Sequence, residues 1–175
     1  DMTTNSPVGV IGLGAMGLGM AKSLRRAGHA VQAFDVRPGV AQAFAAEGGT
    51  AAPSAAALAA ACSVVVSVVV NAAQTEELMF GSGGVAAAMR PGSVFVMCST
   101  VDPATSSGFE ARLEALGLQY LDAPISGGAA KAASAQMTMM TAGKPAAYAA
   151  CGTVLESMAA KVYRLGDRAG AGSKV

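Results

Sequence analysis

The segment Gly12-Leu13-Gly14-Ala15-Met16-Gly17 constrains the fold of this chain more than any other feature. A β-branched run, residues 8–11, precedes it directly, and a helix-favouring stretch extends from it through Ala27. A GxGxxG run is informative in this setting, between a strand and a helix, because each glycine then has a mechanical task. Gly12 permits the tight turn, Gly14 allows a diphosphate to approach the backbone, and Gly17 lets the helix lie close against the strand. The unpaired amides and partial positive charge of the helix N-terminus supply the anion site, with Leu13, Ala15 and Met16 completing its main chain.

The rest of the chain repeats the alternation. Short apolar runs at 30–34, 64–70, 93–98, 119–121, 137–141 and 162–165 are separated by Ala-rich stretches long enough for crossover helices. The near-continuous valines of 64–70 suit a strand buried on both faces. This order predicts an α/β domain of Rossmann type: a doubly wound, mostly parallel sheet of seven or eight strands with helices on both faces. Pro38 is placed in the first turn of one helix, Ser54 caps another, and Pro91-Gly92 breaks the chain before Ser93. One domain is expected across 1–175, with 1–7 a disordered or non-native extension and 166–175 the start of a linker.

Composition excludes several classes. A net charge of +1 without a basic cluster leaves no electrostatic footprint for nucleic acid. The uncharged stretch 48–75 is interrupted by Pro53 and rich in weakly apolar alanine, so it reads as a helix and a buried strand rather than a membrane span. Cys62, Cys98 and Cys151 are three widely spaced cysteines in apolar settings, expected as buried free thiols in a reducing compartment. No secretion signal is evident, and a cytoplasmic protein is expected. His29, the lone histidine, falls at the end of the first helix, where it faces the dipole.

Asp35 closes the second strand about 20 residues beyond the fingerprint, where a carboxylate accepts hydrogen bonds from the adenosine ribose. Its charge repels a ribose phosphate, which favours NAD over NADP even with Arg37 nearby. Val36 and Arg37 border that position. Val69, Val70 and Asn71 are placed at the end of a central strand, lining the adenosine half of the site, with Asn71 equally readable as a helix cap. Thr100 falls at the carboxyl edge of the sheet, as a ligand contact or a simple cap.

Three segments together, Gly12 through Met20, Ser99-Thr100-Val101-Asp102-Pro103 and Asp122-Ala123-Pro124-Ile125-Ser126-Gly127-Gly128, resemble the β-hydroxyacid dehydrogenase family, that of the 3-hydroxyisobutyrate dehydrogenases. The resemblance spans the chain in the family's order. It implies a small hydroxyacid substrate whose carboxylate is held by Ser126 and the backbone of Gly127 and Gly128, with Thr100 near the nicotinamide. It also implies a proton-transferring lysine just after Val175, so no catalytic residue falls within the sequence. Lys174 stands two positions early, which turns a helical side chain about 200° away. An all-helical second domain, through which the family forms homo-oligomers, is implied beyond that point, so the chain reads as an inactive cofactor-binding piece of an oxidoreductase. The segments 122–131, 163–167 and 170–173 narrow the resemblance to members acting on small sugar acids. Ala135 departs from the family's usual glycine. Two other readings stay open: a nucleotide-binding module without chemistry, and the imine reductases and 6-phosphogluconate dehydrogenases, which share this domain.

Overall fold

Runs such as Val64-Val65-Val66 have no polar face to offer water, so they are stable only as strands covered on both sides. The computed structural model, which describes residues 6–170, places them in that way. Five strands, β1 (Val8–Ile11), β2 (Val31–Phe34), β3 (Thr50–Ala51), β4 (Val64–Ser67) and β5 (Val94–Met97), run parallel, and β6 (Gln119–Asp122) continues the set. They are joined by β7 (Ile125–Ser126), β8 (Met137–Ala142) and β9 (Ala159–Gly166). The spatial order is β3-β2-β1-β4-β5-β6-β8-β7, with β9 paired to β8.

The alternation of side chains divides the core in two. Val8, Val10, Val64, Val66, Val94 and Val96 point to one face, where they meet Met20 and Leu24 of α1 (Ala15–Arg26) and Phe44 of α2 (Val40–Ala45). That face also holds α7 (Gly128–Ala133), α8 (Pro145–Cys151) and α9 (Val154–Met158). Ile11, Val65, Phe95 and Met97 point the other way, toward α3 (Ala55–Ala61), α4 (Ala72–Phe80), α5 (Val85–Ala88) and α6 (Pro103–Glu114). The sheet is therefore wound on both faces, as the sequence predicts.

Local chemistry sets the helix ends. Ser54 accepts from the Ala57 amide and Asp102 from the Thr105 amide, each satisfying an otherwise unpaired donor in the first turn. Buried Gly17, Met20, Ala21 and Leu24 form the inward stripe of α1, and Arg25 and Arg26 in its last turn oppose the negative end of the dipole.

Several expectations are corrected. Among the described residues the sheet has nine strands, because the two-residue strands β3 and β7 are too short to show a period in the sequence. The strand expected over 64–70 ends at Ser67: Val68 still donates to Ile11, but the chain then leaves the sheet and Asn71 caps α4. Val69, Val70 and Asn71 thus belong to a loop rather than to a strand end. Pro38 precedes α2, which begins after Gly39 in the left-handed region at φ 81°. α1 ends at Arg26, and His29 lies beyond it, its ring Nε2 3.1 Å from Ser157 Oγ. Of the N-terminal extension expected over 1–7, residues 1–5 lie outside the described residues. Ser6 is tied in, its Oγ accepting from the Ser63 amide and from Arg90.

The C-terminal segment is anchored by two buried carboxylates. Glu110 accepts from the Ala169 amide and from Arg168, and Asp122 accepts from the Gly170 amide. Lys174 and the positions around it lie outside the described residues. All three cysteines are free and buried; burial pushes Cys62 and Cys151 up to about 12 and Cys98 further still, so none is a thiolate near neutral pH. Among the described residues no helix is long and apolar enough to cross a membrane.

Candidate functional site

The carboxyl ends of β1, β2 and β4 open onto a cavity of about 910 Å³. Its floor is the glycine turn, one wall is Asp35, Val36 and Arg37, and Val68, Val69 and Val70 form the rim beside it. A parallel sheet leaves this crevice where crossovers diverge to opposite faces, here between β1 and β4, with α1 leaving on one side and α4 on the other.

The three fingerprint glycines differ in what holds them. Gly12 sits at φ +94°, and a Cβ there would lie 2.5 Å from the Val68 carbonyl oxygen. At Gly17 a Cβ would collide with the Gly12 carbonyl, so this residue brings α1 onto β1. Gly14 has an ordinary φ of −66°, and a Cβ there would meet nothing within 4 Å. The fold has no need of glycine at position 14. The space its missing side chain leaves is the mouth of the cavity, which fits a ligand pressed against the main chain.

Asp35 is the electrostatic centre. Its side chain is only 6% exposed, and it accepts from the Leu13 amide at 2.7 Å and the Arg37 amide at 2.9 Å. The Arg37 guanidinium grips both carboxylate oxygens, at 2.9 and 3.0 Å. That guanidinium first, and the two amides with it, hold the carboxyl down at about 2, so it is ionised at any physiological pH. Leu13 is apolar and buried; its contribution at the turn is its amide. Ala15 is exposed and Met16 partly buried at the start of α1.

Val36 and Val70 are 87% and 80% exposed, two apolar side chains flanking the opening. The Val70 amide donates to Gln74 Oε1, and Ser99 Oγ donates to the Val69 carbonyl, which fixes the loop between β4 and α4. Asn71 acts as the cap of α4, its side chain accepting from the Gln74 amide at 2.9 Å. The far wall, with Gln74, Glu77, Leu78 and Ser82, escaped sequence reasoning. No motif marks it, and only the folding of α4 over the sheet brings it opposite Asp35.

Ser126, Gly127 and Gly128 lie apart from that cavity but past the same sheet edge. Residues of β6 and β7 pair with β8 in a single antiparallel register, Asp122 with Ala142, Ile125 with Met139 and Ser126 with Thr138. The Met140 amide donates to the Pro124 carbonyl between them. One strand therefore runs on past the end of β5, interrupted where Pro124 has no amide to give, and carries Ser126 outward. Ser126, Gly127 and Gly128 are all exposed, with Gly127 and Gly128 at φ +139° and +75°. Thr100 is exposed beyond β5 and does not line the cavity; the cap of α6 is Asp102, not Thr100. Among the described residues no cluster of His, Cys, Asp or Glu is arranged to hold a metal ion.

A glycine turn opening a helix, an acid at the end of the adjacent strand and a crevice at the carboxyl edge define a dinucleotide-binding domain. The chain belongs to the family of the NAD-binding domain of 6-phosphogluconate dehydrogenase, whose model matches residues 7–166. It is 54% identical over 168 residues to the L-threonate dehydrogenase of Cupriavidus necator, covering 96% of this chain and 57% of that protein. It is 33% identical over 166 residues to the mitochondrial 3-hydroxyisobutyrate dehydrogenase of Mus musculus, covering 95% of this chain and 50% of that protein. Among solved structures, the 3-hydroxyisobutyrate dehydrogenase of Salmonella typhimurium superimposes with a TM-score of 0.92 at 44% identity, covering 97% of this chain and 59% of that one. The chain thus spans little more than half the length of these relatives.

Proposed function

We propose that this chain is the cofactor-binding part of a dehydrogenase that oxidises the hydroxyl of a small hydroxyacid, L-threonate being the substrate favoured, with NAD as acceptor. The open Gly14 position beside the ionised Asp35, in one crevice, is the observation that carries the cofactor half of this reading. Likeness to the Cupriavidus protein along 96% of the chain supports the substrate half.

The roles proposed for the individual residues are these. The main chain of Gly12, Leu13, Gly14, Ala15, Met16 and Gly17 receives the diphosphate, with the α1 dipole supplying the positive potential that a nearly neutral domain lacks. Asp35 accepts from the ribose hydroxyls, while Val36, Arg37, Val69, Val70 and Asn71 enclose the adenosine end. Thr100 lies toward the nicotinamide. Bound NAD supplies a hydride acceptor at that end. Ser126 and the amides of Gly127 and Gly128 hold the substrate carboxylate, a task suited to a hydroxyl and two main-chain donors past the sheet edge. The group that takes the hydroxyl proton is proposed to come from chain following Val175.

Thermal unfolding with added cofactor tests the first half. A saturable rise in Tm with NAD, larger than with NADP at the same millimolar concentration, is the expected result; no rise with either defeats the assignment. NADH formation from L-threonate in the complete protein tests the second half.

A further inference from the structure

Nearly every cation in the fold has a partner. Lys22 faces Glu47, Arg37 Asp35, Arg112 Glu76, Lys144 Glu114 and Arg168 Glu110. Arg25, Arg26 and Arg90 donate to main-chain carbonyls, and Arg164 lies over the Tyr148 ring. Among the described residues the ammonium groups of Lys131 and Lys161 have neither a hydrogen bond nor an ion pair. Lys161 is on the outer strand β9; Lys131 is one helical turn beyond Gly127.

The placement of Lys131 is specific. Gly127 has φ +139°, and a Cβ built there would lie 3.0 Å from both Cβ and Cδ of Lys131. The aliphatic stem therefore lies against Gly127, filling the space a side chain would take, and the ammonium sits two bonds beyond Cδ beside the exposed loop of Ser126, Gly127 and Gly128. No acid on α7 neutralises it, and the nearest in sequence, Asp122, is fully buried and engaged with Gly170. A strongly hydrated point charge on a flexible stem is suited to an anion that comes and goes.

We propose that Lys131 is a specificity-determining residue that pairs with the carboxylate of the small hydroxyacid held at Ser126, Gly127 and Gly128. The proposal rests on the reading of that loop as the carboxylate site, and it adds a full positive charge to what a hydroxyl and two amides provide. Neutral analogues of the same shape are then discriminated against, because they forgo the charge-assisted contact.

The test is a titration of the NAD-loaded chain with sodium L-threonate, followed through the amide resonances of Gly127 and Gly128. Lys131→Met weakens the apparent Kd about tenfold and removes most of its dependence on ionic strength, whereas Lys131→Arg retains both. Lys161→Met behaves as the parent, and NAD affinity is the same in all four proteins, which shows that the fold is intact. Equal threonate affinity and salt dependence in the parent and Lys131→Met overturn the proposal while leaving the loop as the carboxylate site. An absence of any response at Gly127 and Gly128 in the parent overturns both the proposal and the reading beneath it.

Discussion

The Asp35 carboxylate accepts the Leu13 amide hydrogen at 2.7 Å across 22 residues of chain, so the glycine turn and the acid at the end of β2 are one hydrogen-bonded unit. Any change that moves one moves the other, and the Arg37 guanidinium that covers the same carboxylate is held by this unit too.

Replacing Asp35 therefore acts on cofactor choice and on stability together. Asp35→Ala releases Arg37, removes the charge that repels a ribose phosphate, and shifts the ratio of NAD to NADP affinity toward NADP by about tenfold. Melting curves recorded with each cofactor at matched concentrations measure this; an unchanged preference contradicts it.

Acid sensitivity follows from the same carboxyl group. Its folded pKa of about 2 lies below its ordinary value, so the stability it contributes is complete above that ordinary value and declines as pH falls toward 2. With the exposed Arg37 allowed for, the contribution is about 1 kcal/mol. Urea unfolding of the parent and of Asp35→Asn should show a gap that is flat from about pH 5 to 8 and narrows below about pH 4.

Gly14→Ala separates binding from folding. An added methyl group meets no atom of the protein and requires no unusual φ, so the unfolding midpoint without ligand stays within about 0.5 kcal/mol of the parent. The same methyl occupies the approach of the diphosphate, and NAD affinity falls by at least about a hundredfold in calorimetric titration. Retained affinity shows that the diphosphate lies elsewhere.

α1 joins the two candidate regions mechanically. Gly19 brings it against α7, where an added Cβ would lie 2.7 Å from the Ala133 amide nitrogen, and Ser23 Oγ donates to the Ala132 carbonyl at 2.8 Å. Gly19→Ala is expected to cost about 1 to 3 kcal/mol by overpacking this contact. Denaturant unfolding reads the loss, and a variant as stable as the parent excludes close α1–α7 packing.

Ala135 carries the opposite prediction. It is the one non-glycine among the described residues with positive φ, 58°, at the turn between α7 and β8. Ala135→Gly relieves about 1 to 2 kcal/mol of backbone strain and gives part of it back as unfolded-state entropy, for a net gain of about 0.5 to 1 kcal/mol. A destabilised variant would show that Ala135 is unstrained.

The cofactor half of the site was legible because its determinants are local. The glycine turn, its flanking strand and helix, and Asp35 follow from spacing, and Ser54 and Asn71 could be read as caps because a cap bonds only three residues ahead. The departure of glycine at Ala135 was visible too, although its positive φ was not. The end of β4 was misplaced because valine suits a strand whether or not a neighbour pairs with it, and pairing stops at Ser67.

Taken alone, the order of residues determined the class of fold and the glycine turn, since these depend on short-range periodicity and on where glycine is required, whereas the loop at Ser126 stood out only through its resemblance to a family motif. Tertiary structure decided what depends on partners distant in the chain. It set Gln74 and Glu77 in one cavity with Asp35, aligned β6 and β7 along β8 so that Ser126 projects past the sheet, and left Lys131 beside Gly127 without a counter-ion among the described residues. The physical reason is that periodicity reports which face of an element is apolar, whereas hydrogen-bond registry and charge pairing between elements exist only once the sheet has assembled.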